Sequence, residues 1–225
     1  MERRIILPLL FGLLGAAVLI GLGVWQVQRL QWKEGVLATI EERLNDAPMT
    51  LQDATDPKYL DYAPVELAGR FTGKELHVLA SLKRIGAIYR IVSAFETDSG
   101  QRILVDRGYV LADQKDAPRP PVEATIIGNL HQPEEVDSFT PPPDLDANIW
   151  YARDPVAMAE ALGTHWLFVI ASDTSEDPAP VTPLPVDTSV IPNDHLGYAI
   201  TWFSLAVVWL GMTAAIVWRI RRRTQ

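Results

Sequence analysis

The 225-residue chain is 48% hydrophobic with a mean hydropathy of +0.07, and it carries 28 acidic against 20 basic residues for a formal charge of −8. That acidic excess argues against nucleic acid or an anionic lipid face as a partner, because phosphate contact needs clustered Lys and Arg. With no cysteine in the chain, disulfide stapling and thiolate-held copper are excluded.

The average conceals two solvents. Ile5–Gln28 is a run of 24 residues without a charge, and Leu196–Trp218 is a run of 23. At about 1.5 Å per residue each makes roughly 35 Å of helix, enough for a hydrocarbon core of about 30 Å. The reading is a membrane protein with residues 5–28 and 196–218 as transmembrane helices in the lipid bilayer. A water-soluble domain spans residues 29–195, with short termini at residues 1–4 and 219–225. The first apolar run exceeds the 7–15 residues of a signal-peptide core and no A-x-A site follows it, so it reads as a retained anchor. Arg219, Arg221, Arg222 and Arg223 follow the second run while Asp194 precedes it, which places the C-terminus in the cytoplasm. Two spans put the N-terminus on the same side and the middle domain in the periplasm. No Arg- and Ser-rich transit segment precedes the first span, so a bacterial inner membrane is expected rather than an organelle.

Beyond the first span the helical pattern continues at Leu30, Val36, Leu37, Ile40 and Leu44 and stops at Asn45–Pro48, so residues 29–45 should extend the helix out of the bilayer. A β-rich core over residues 63–172 follows. Strands are expected at 63–71, 75–81, 87–96, 101–110, 122–130, 148–153 and 165–172, punctuated by Thr72-Gly73, Gly86 and Asp98-Ser99-Gly100. Residues 154–163 read as a helix with Asp154 as N-cap, Pro155 at its first position and Gly163 beyond its end. Short turns between adjacent strands imply a mainly antiparallel sheet curling toward a barrel, in an α+β domain. The Pro-rich residues 175–194 lack helix and strand patterning and lead back to the membrane.

The chemistry-bearing residues stand at the two membrane edges. "NDHLGYAITWFSLA" (193–206) opens the second span with His195, and Asn193 or Asp194 can cap the helix. The positive helix N-terminus disfavours imidazolium, so the ring should be neutral and able to bind a metal. His195, Tyr198 and Trp202 share one face, at i, i+3 and i+7. A haem could use both the nitrogen and the flat apolar surface, although such residues are also ordinary at a membrane interface. "GVWQVQRLQWK" (23–33) closes the first span with Trp25, Arg29 and Trp32 on one face and Gln26 at the hydrocarbon margin. Helix or haem contact, with Arg29 meeting a propionate, is one reading; an aromatic belt with snorkelling cations is the other.

These two edges, together with "YAPVELAGRF" (62–71) and "VDRGYV" (105–110), resemble the Surfeit locus protein 1 family over most of the chain. The resemblance implies an assembly factor for cytochrome c oxidase that binds haem a and helps to insert it into subunit I. The partners implied are that haem-copper oxidase subunit and the haem a synthesis machinery. By position His195 becomes the axial ligand of haem iron, and the family places Trp202 close by; on the residue patterns above, Tyr198, Trp202, Trp25 and Gln26 are expected as pocket walls and Arg29 as a propionate contact. Arg107 and Gly108 match the family's Arg-Gly pair. The chain departs from the family pattern at Tyr109-Val110-Leu111, where Trp-Val-Pro is common, and at Gly197, where a larger polar residue is common.

Three other readings compete. The first is a scaffold that stabilises nascent subunit I without touching haem. The second is an anchored enzyme, but G-x-S-x-G, H-E-x-x-H, P-loop and G-x-G-x-x-G motifs are all absent. Its nearest sites are Glu134, Glu135 and Asp137 beside His131, or His77, His131 and His165 gathered on a metal. The third is a copper-insertion factor, for which Cys and Met clusters are missing.

Overall fold

The computed structural model describes residues 3–51 and 61–222; Arg223, one of the expected cytoplasmic cations, lies outside them. In chain order the elements are helix α1 (Arg3–Leu44), strands β1 (Pro64–Leu82), β2 (Gly86–Thr97), β3 (Arg102–Leu111), β4 (Val122–Leu130) and β5 (Ile149–Trp150), helix α2 (Pro155–Leu162), strand β6 (Phe168–Thr174) and helix α3 (His195–Arg222). They fall into two compact units, Met1–Thr39 with Thr188–Gln225, and Ile40–Asp187.

In the first unit α1 and α3 are both long and apolar enough to cross a membrane. Their large apolar side chains point outward, with Leu14 and Val207 each 70% exposed. The buried positions are small or polar: Gly12, Ala16, Gly23 and Gln26 on α1, Ala199 and Ala206 on α3. Lipid is as apolar as leucine, so such helices pair by close packing of small residues rather than by apolar burial. A Cβ at Gly12 would stand 2.2 Å from Thr213 Cγ2. The Trp209 indole N–H also donates to the Gly12 carbonyl at 2.9 Å.

In the second unit the ladders close into a ring. β1 pairs with β4 over Pro64–Phe71 and with β2 over Gly69–Leu82, both antiparallel. β2 pairs antiparallel with β3, β3 parallel with β6, and β6 antiparallel with β4. β5 adds in parallel to β1 at His77 and Val78. The sheet is therefore mixed, with antiparallel ladders predominating. The expected strands 63–71 and 75–81 are one strand. A register shift between Phe71 and Glu75, with Gly73 at φ +80°, turns the chain without ending the pairing. A bulge of this kind lets one strand serve two neighbours at a corner. The expected strand 148–153 shrinks to two residues. The short helix matches its sequence signals: the Asp154 carboxylate accepts from the Val156 and Ala157 N–H groups, and Gly163 stands at φ +68°.

Two apolar clusters hold this unit. One gathers Val65, Phe71, Phe95, Ile103, Val105 and Val169; the other gathers Val92, Leu104, Trp150, Met158, Leu162 and Phe168 under α2. Ile103 and Val105 serve the first and Leu104 the second, the period-2 alternation of a strand buried on both faces. Each fully buried large side chain contributes about 1.5–3 kcal/mol.

The Asp106-Arg107-Gly108 stretch organises the buried charges. Asp106 has no exposed surface and accepts from Arg90 Nε at 2.7 Å and Arg153 Nη1 at 3.2 Å. It also accepts from the Gly108 N–H at 3.1 Å. Arg107 donates to both Glu176 oxygens at 2.8 Å and lies 4.0 Å over the Phe71 ring. Burial pushes the Arg107 guanidinium below its ordinary range despite the Glu176 charge. Through Glu176 and the paired Tyr109–Thr182 backbone bonds of 2.8 and 3.0 Å, the Pro-rich stretch is tied to β3.

Two carboxylates give this unit an acid limit. Burial raises the Glu75 pKa, but hydrogen bonds from His77 and Arg119 and the Arg119 charge outweigh it, so the net direction is down. Burial likewise raises Glu135, and Arg153 brings it below its ordinary value. A depressed folded-state pKa contributes stability above the unfolded-state value, about 4.3 for Glu, and that contribution fades as pH falls through the folded value. Thermal midpoints should therefore hold from about pH 7 to 5 and fall below about pH 4. A Glu75→Gln variant should start lower and lose less on acidification; parallel acid limbs in the two proteins would contradict this.

Candidate functional site

His195 is the first residue of α3, whose first helical hydrogen bond runs from the Tyr198 N–H to the Asp194 carbonyl at 3.2 Å. The Asn193 side-chain oxygen is buried without a hydrogen-bond partner among the described residues, so it does not cap the helix. The half-buried imidazole meets α1: His195 Nδ1 and Gln26 Oε1 are 2.8 Å apart. A carboxamide oxygen only accepts, so the proton sits on Nδ1. In the neutral ring this leaves Nε2 as the open nitrogen, and it has no hydrogen-bond partner among the described residues. This is the arrangement in which a second group fixes the tautomer of a metal-ligating histidine.

Gln26 is 9% exposed, a carboxamide held between two apolar helices. Such a group is costly there unless bonded, and the imidazole supplies the bond. Tyr198 and Trp25 are 56% and 54% exposed, and Trp202 is half-buried. They stand on their helices as apolar, open-faced surface, and no ring–ring contact joins them among the described residues. The Arg29 guanidinium lies 4.0 Å over the Trp32 ring, an orientation set by cation–π attraction. The structure thus brings His195 and Gln26 into contact and puts Tyr198, Trp202, Trp25 and Arg29 on the surfaces beside them. Lys33 is an addition that sequence patterning did not single out. Its ammonium donates to the Pro192 carbonyl, three residues before His195, and ties the approach to α3 to α1.

The competing histidine sites do not assemble. His77 meets Glu75 at 2.9 Å, His131 meets Asp61 at 3.0 Å, and His165 Nδ1 accepts from the Leu167 N–H. Of the acidic residues beside His131, Glu135 is engaged by Arg153 and Asp137 accepts from the Phe139 N–H. Among the described residues no group of three or more His, Cys, Asp or Glu side chains could hold a metal ion.

Two helices long and apolar enough to cross a membrane, joined by an imidazole–carboxamide pair and flanking in sequence a ring-closed mixed-sheet domain, define the class of protein. The family model described as SURF1 family matches residues 13–207. Surfeit locus protein 1 of Rattus norvegicus is 32% identical over 221 residues, covering 84% of this chain and 69% of the rat protein. Surfeit locus protein 1 of Homo sapiens is 32% identical over 212 residues, covering 83% and 69%. The SURF1-like protein of Drosophila melanogaster is 32% identical over 223 residues, covering 87% and 73%. The chain belongs to the SURF1 family.

Proposed function

We propose that the chain is a non-catalytic assembly factor for a haem-copper oxidase of the cytochrome c oxidase type. It receives haem a at the periplasmic edge of the bacterial inner membrane and assists its insertion into subunit I. Both termini lie in the cytoplasm in this reading, the side that the arginines after the second span favour. The observation that carries the reading is the His195–Gln26 pair, which fixes the ring and leaves Nε2 free to ligate iron. Tyr198, Trp202 and Trp25 supply apolar surface for a macrocycle, and Arg29 a charge for a propionate. A single protein ligand holds cargo less firmly than two would, which suits transfer to another protein.

The test is co-expression with haem a synthesis enzymes, purification, and a pyridine haemochrome spectrum. Wild type should carry haem a and His195→Ala should lose it. Gln26→Leu should weaken binding by about 10-fold or more, as removal of the group orienting a metal-ligating histidine does. Full haem retention in His195→Ala removes the ligand assignment.

A second reading is a scaffold that stabilises nascent subunit I without touching haem. It is favoured by apolar side chains open to solvent on the second unit: Phe139 is 91% exposed, and Leu145 and Val156 are 70% exposed. A colourless wild-type protein that still co-purifies with subunit I would establish it.

A further inference from the structure

An apolar groove runs along one side of the α1–α3 pair, with a volume of about 500 Å3. Its walls include Phe11 and Val18 from α1 and Leu205, Trp209 and Met212 from α3. The groove is built rather than incidental. The Trp209 indole is held by its bond to the Gly12 carbonyl, packs 5.4 Å from the Phe11 ring, and lies against Gly15, where a Cβ would come within 2.5 Å of it.

The groove lies on the same face of α3 as the candidate ligand. His195, Tyr198, Trp202, Leu205, Trp209 and Met212 follow one another on α3 at steps of three and four, so they form one stripe. On α1 the same periodicity carries Val18 into Trp25 and Arg29. Leu205 stands ten residues beyond His195, about 15 Å along the axis, and the α3 wall continues for about 10 Å more. One stripe therefore begins at a free imidazole nitrogen and ends in a slot without hydrogen-bonding groups.

We infer that this groove holds the isoprenoid chain of a prenylated haem and selects such a haem over an unprenylated one. The inference rests on the haem reading above. Haem o differs from haem b in one substituent, a hydroxyethylfarnesyl chain on the porphyrin edge away from the propionates; haem a carries the same chain. With propionates toward Arg29 and water, that edge faces down the stripe. A branched hydrocarbon chain asks for no hydrogen bonds and gains dispersion contact with a preformed apolar wall. Val18 and Val208 line the groove and are each 57% exposed, so larger side chains there can fill it without entering a packed core.

The experiment is titration of the full chain in lipid nanodiscs with haem o and with haem b, followed by the Soret band. Wild type, His195→Ala and a Val18→Trp/Val208→Trp double variant are compared. The farnesyl chain also concentrates haem o in the bilayer, but equally for every variant, so the change in the haem o to haem b affinity ratio isolates the groove. Wild type should favour haem o by roughly fivefold more than the double variant does, a packing effect, with haem b affinity the same in both. A haem o to haem b affinity ratio left unchanged by groove filling, or equal affinities for the two haems in wild type, overturns the inference and leaves a groove for lipid acyl chains. If neither haem shows binding that depends on His195, the haem reading itself fails and the inference goes with it.

Discussion

Replacing Asp106 by alanine is expected to destabilise the β unit by about 3–5 kcal/mol, the cost of stranding buried charges. The Asp106 carboxylate is fully enclosed and is the shared acceptor of Arg90 and Arg153, whose side chains are each 13% exposed. The alanine variant leaves both guanidiniums facing a cavity. Arg153 retains Glu135, and Arg90 keeps the Leu184 carbonyl at 3.4 Å and the more distant Glu135 charge. The Gly108 N–H also loses its acceptor. Asp106→Asn keeps the shape and one acceptor oxygen, so its loss should be smaller. Urea midpoints of the detergent-solubilised chain, followed by near-ultraviolet circular dichroism, measure both. An alanine variant within about 1 kcal/mol of wild type would show that the buried network is dispensable, as some are.

Gly108→Ala should cost about 3 kcal/mol or more, by a different route. Gly108 stands at φ +115°, where a side chain is strained. An added Cβ would also come 2.0 Å from the Thr182 carbonyl oxygen and 2.6 Å from Pro183 Cα, both backbone atoms that cannot rotate aside. Relief requires moving the Pro-rich stretch off β3, which breaks the two Tyr109–Thr182 hydrogen bonds. Hydrogen exchange at those two amides reads this directly. Their protection should collapse in the variant while that of Ile103 to Val105 changes less. Unchanged exchange at Tyr109 would rule the mechanism out. The Asp-Arg-Gly stretch then acts through folding, since no member of it is open to a ligand.

Local signals carried much of the architecture. The cap residues of α2 sit where Asp154 and Gly163 announced them, because capping is decided within one turn of chain. β-branched runs marked the strands for the same reason. Thr72-Gly73 misled because a glycine at positive φ serves a bulge as readily as a turn. Pairings between distant strands left no local trace. The parallel contact of β3 with β6 follows from where Leu104 and Phe168 meet in space, not from either segment's composition. At the ends of the two apolar runs His195 and Gln26 were both legible as polar groups against apolar neighbours. Their partnership spans 169 positions and is fixed by helix packing that only the folded pair displays. The Lys33–Pro192 contact was hidden in the same way, since a lysine after a span reads first as a charge at the headgroups.

β6 lies between β3 and β4 in the ring, yet it is the last strand of the chain. During synthesis β1 to β4 can form hairpins early, but their sheet stays unsealed until Thr174 has emerged. α3 begins only at His195. The nascent polypeptide therefore has a short interval between completing its sheet and presenting its second apolar segment for insertion. Slowing elongation once Thr174 has left the ribosome should favour orderly maturation, and slowing it before that point should prolong exposure of two unpaired strand edges to proteases and to other chains.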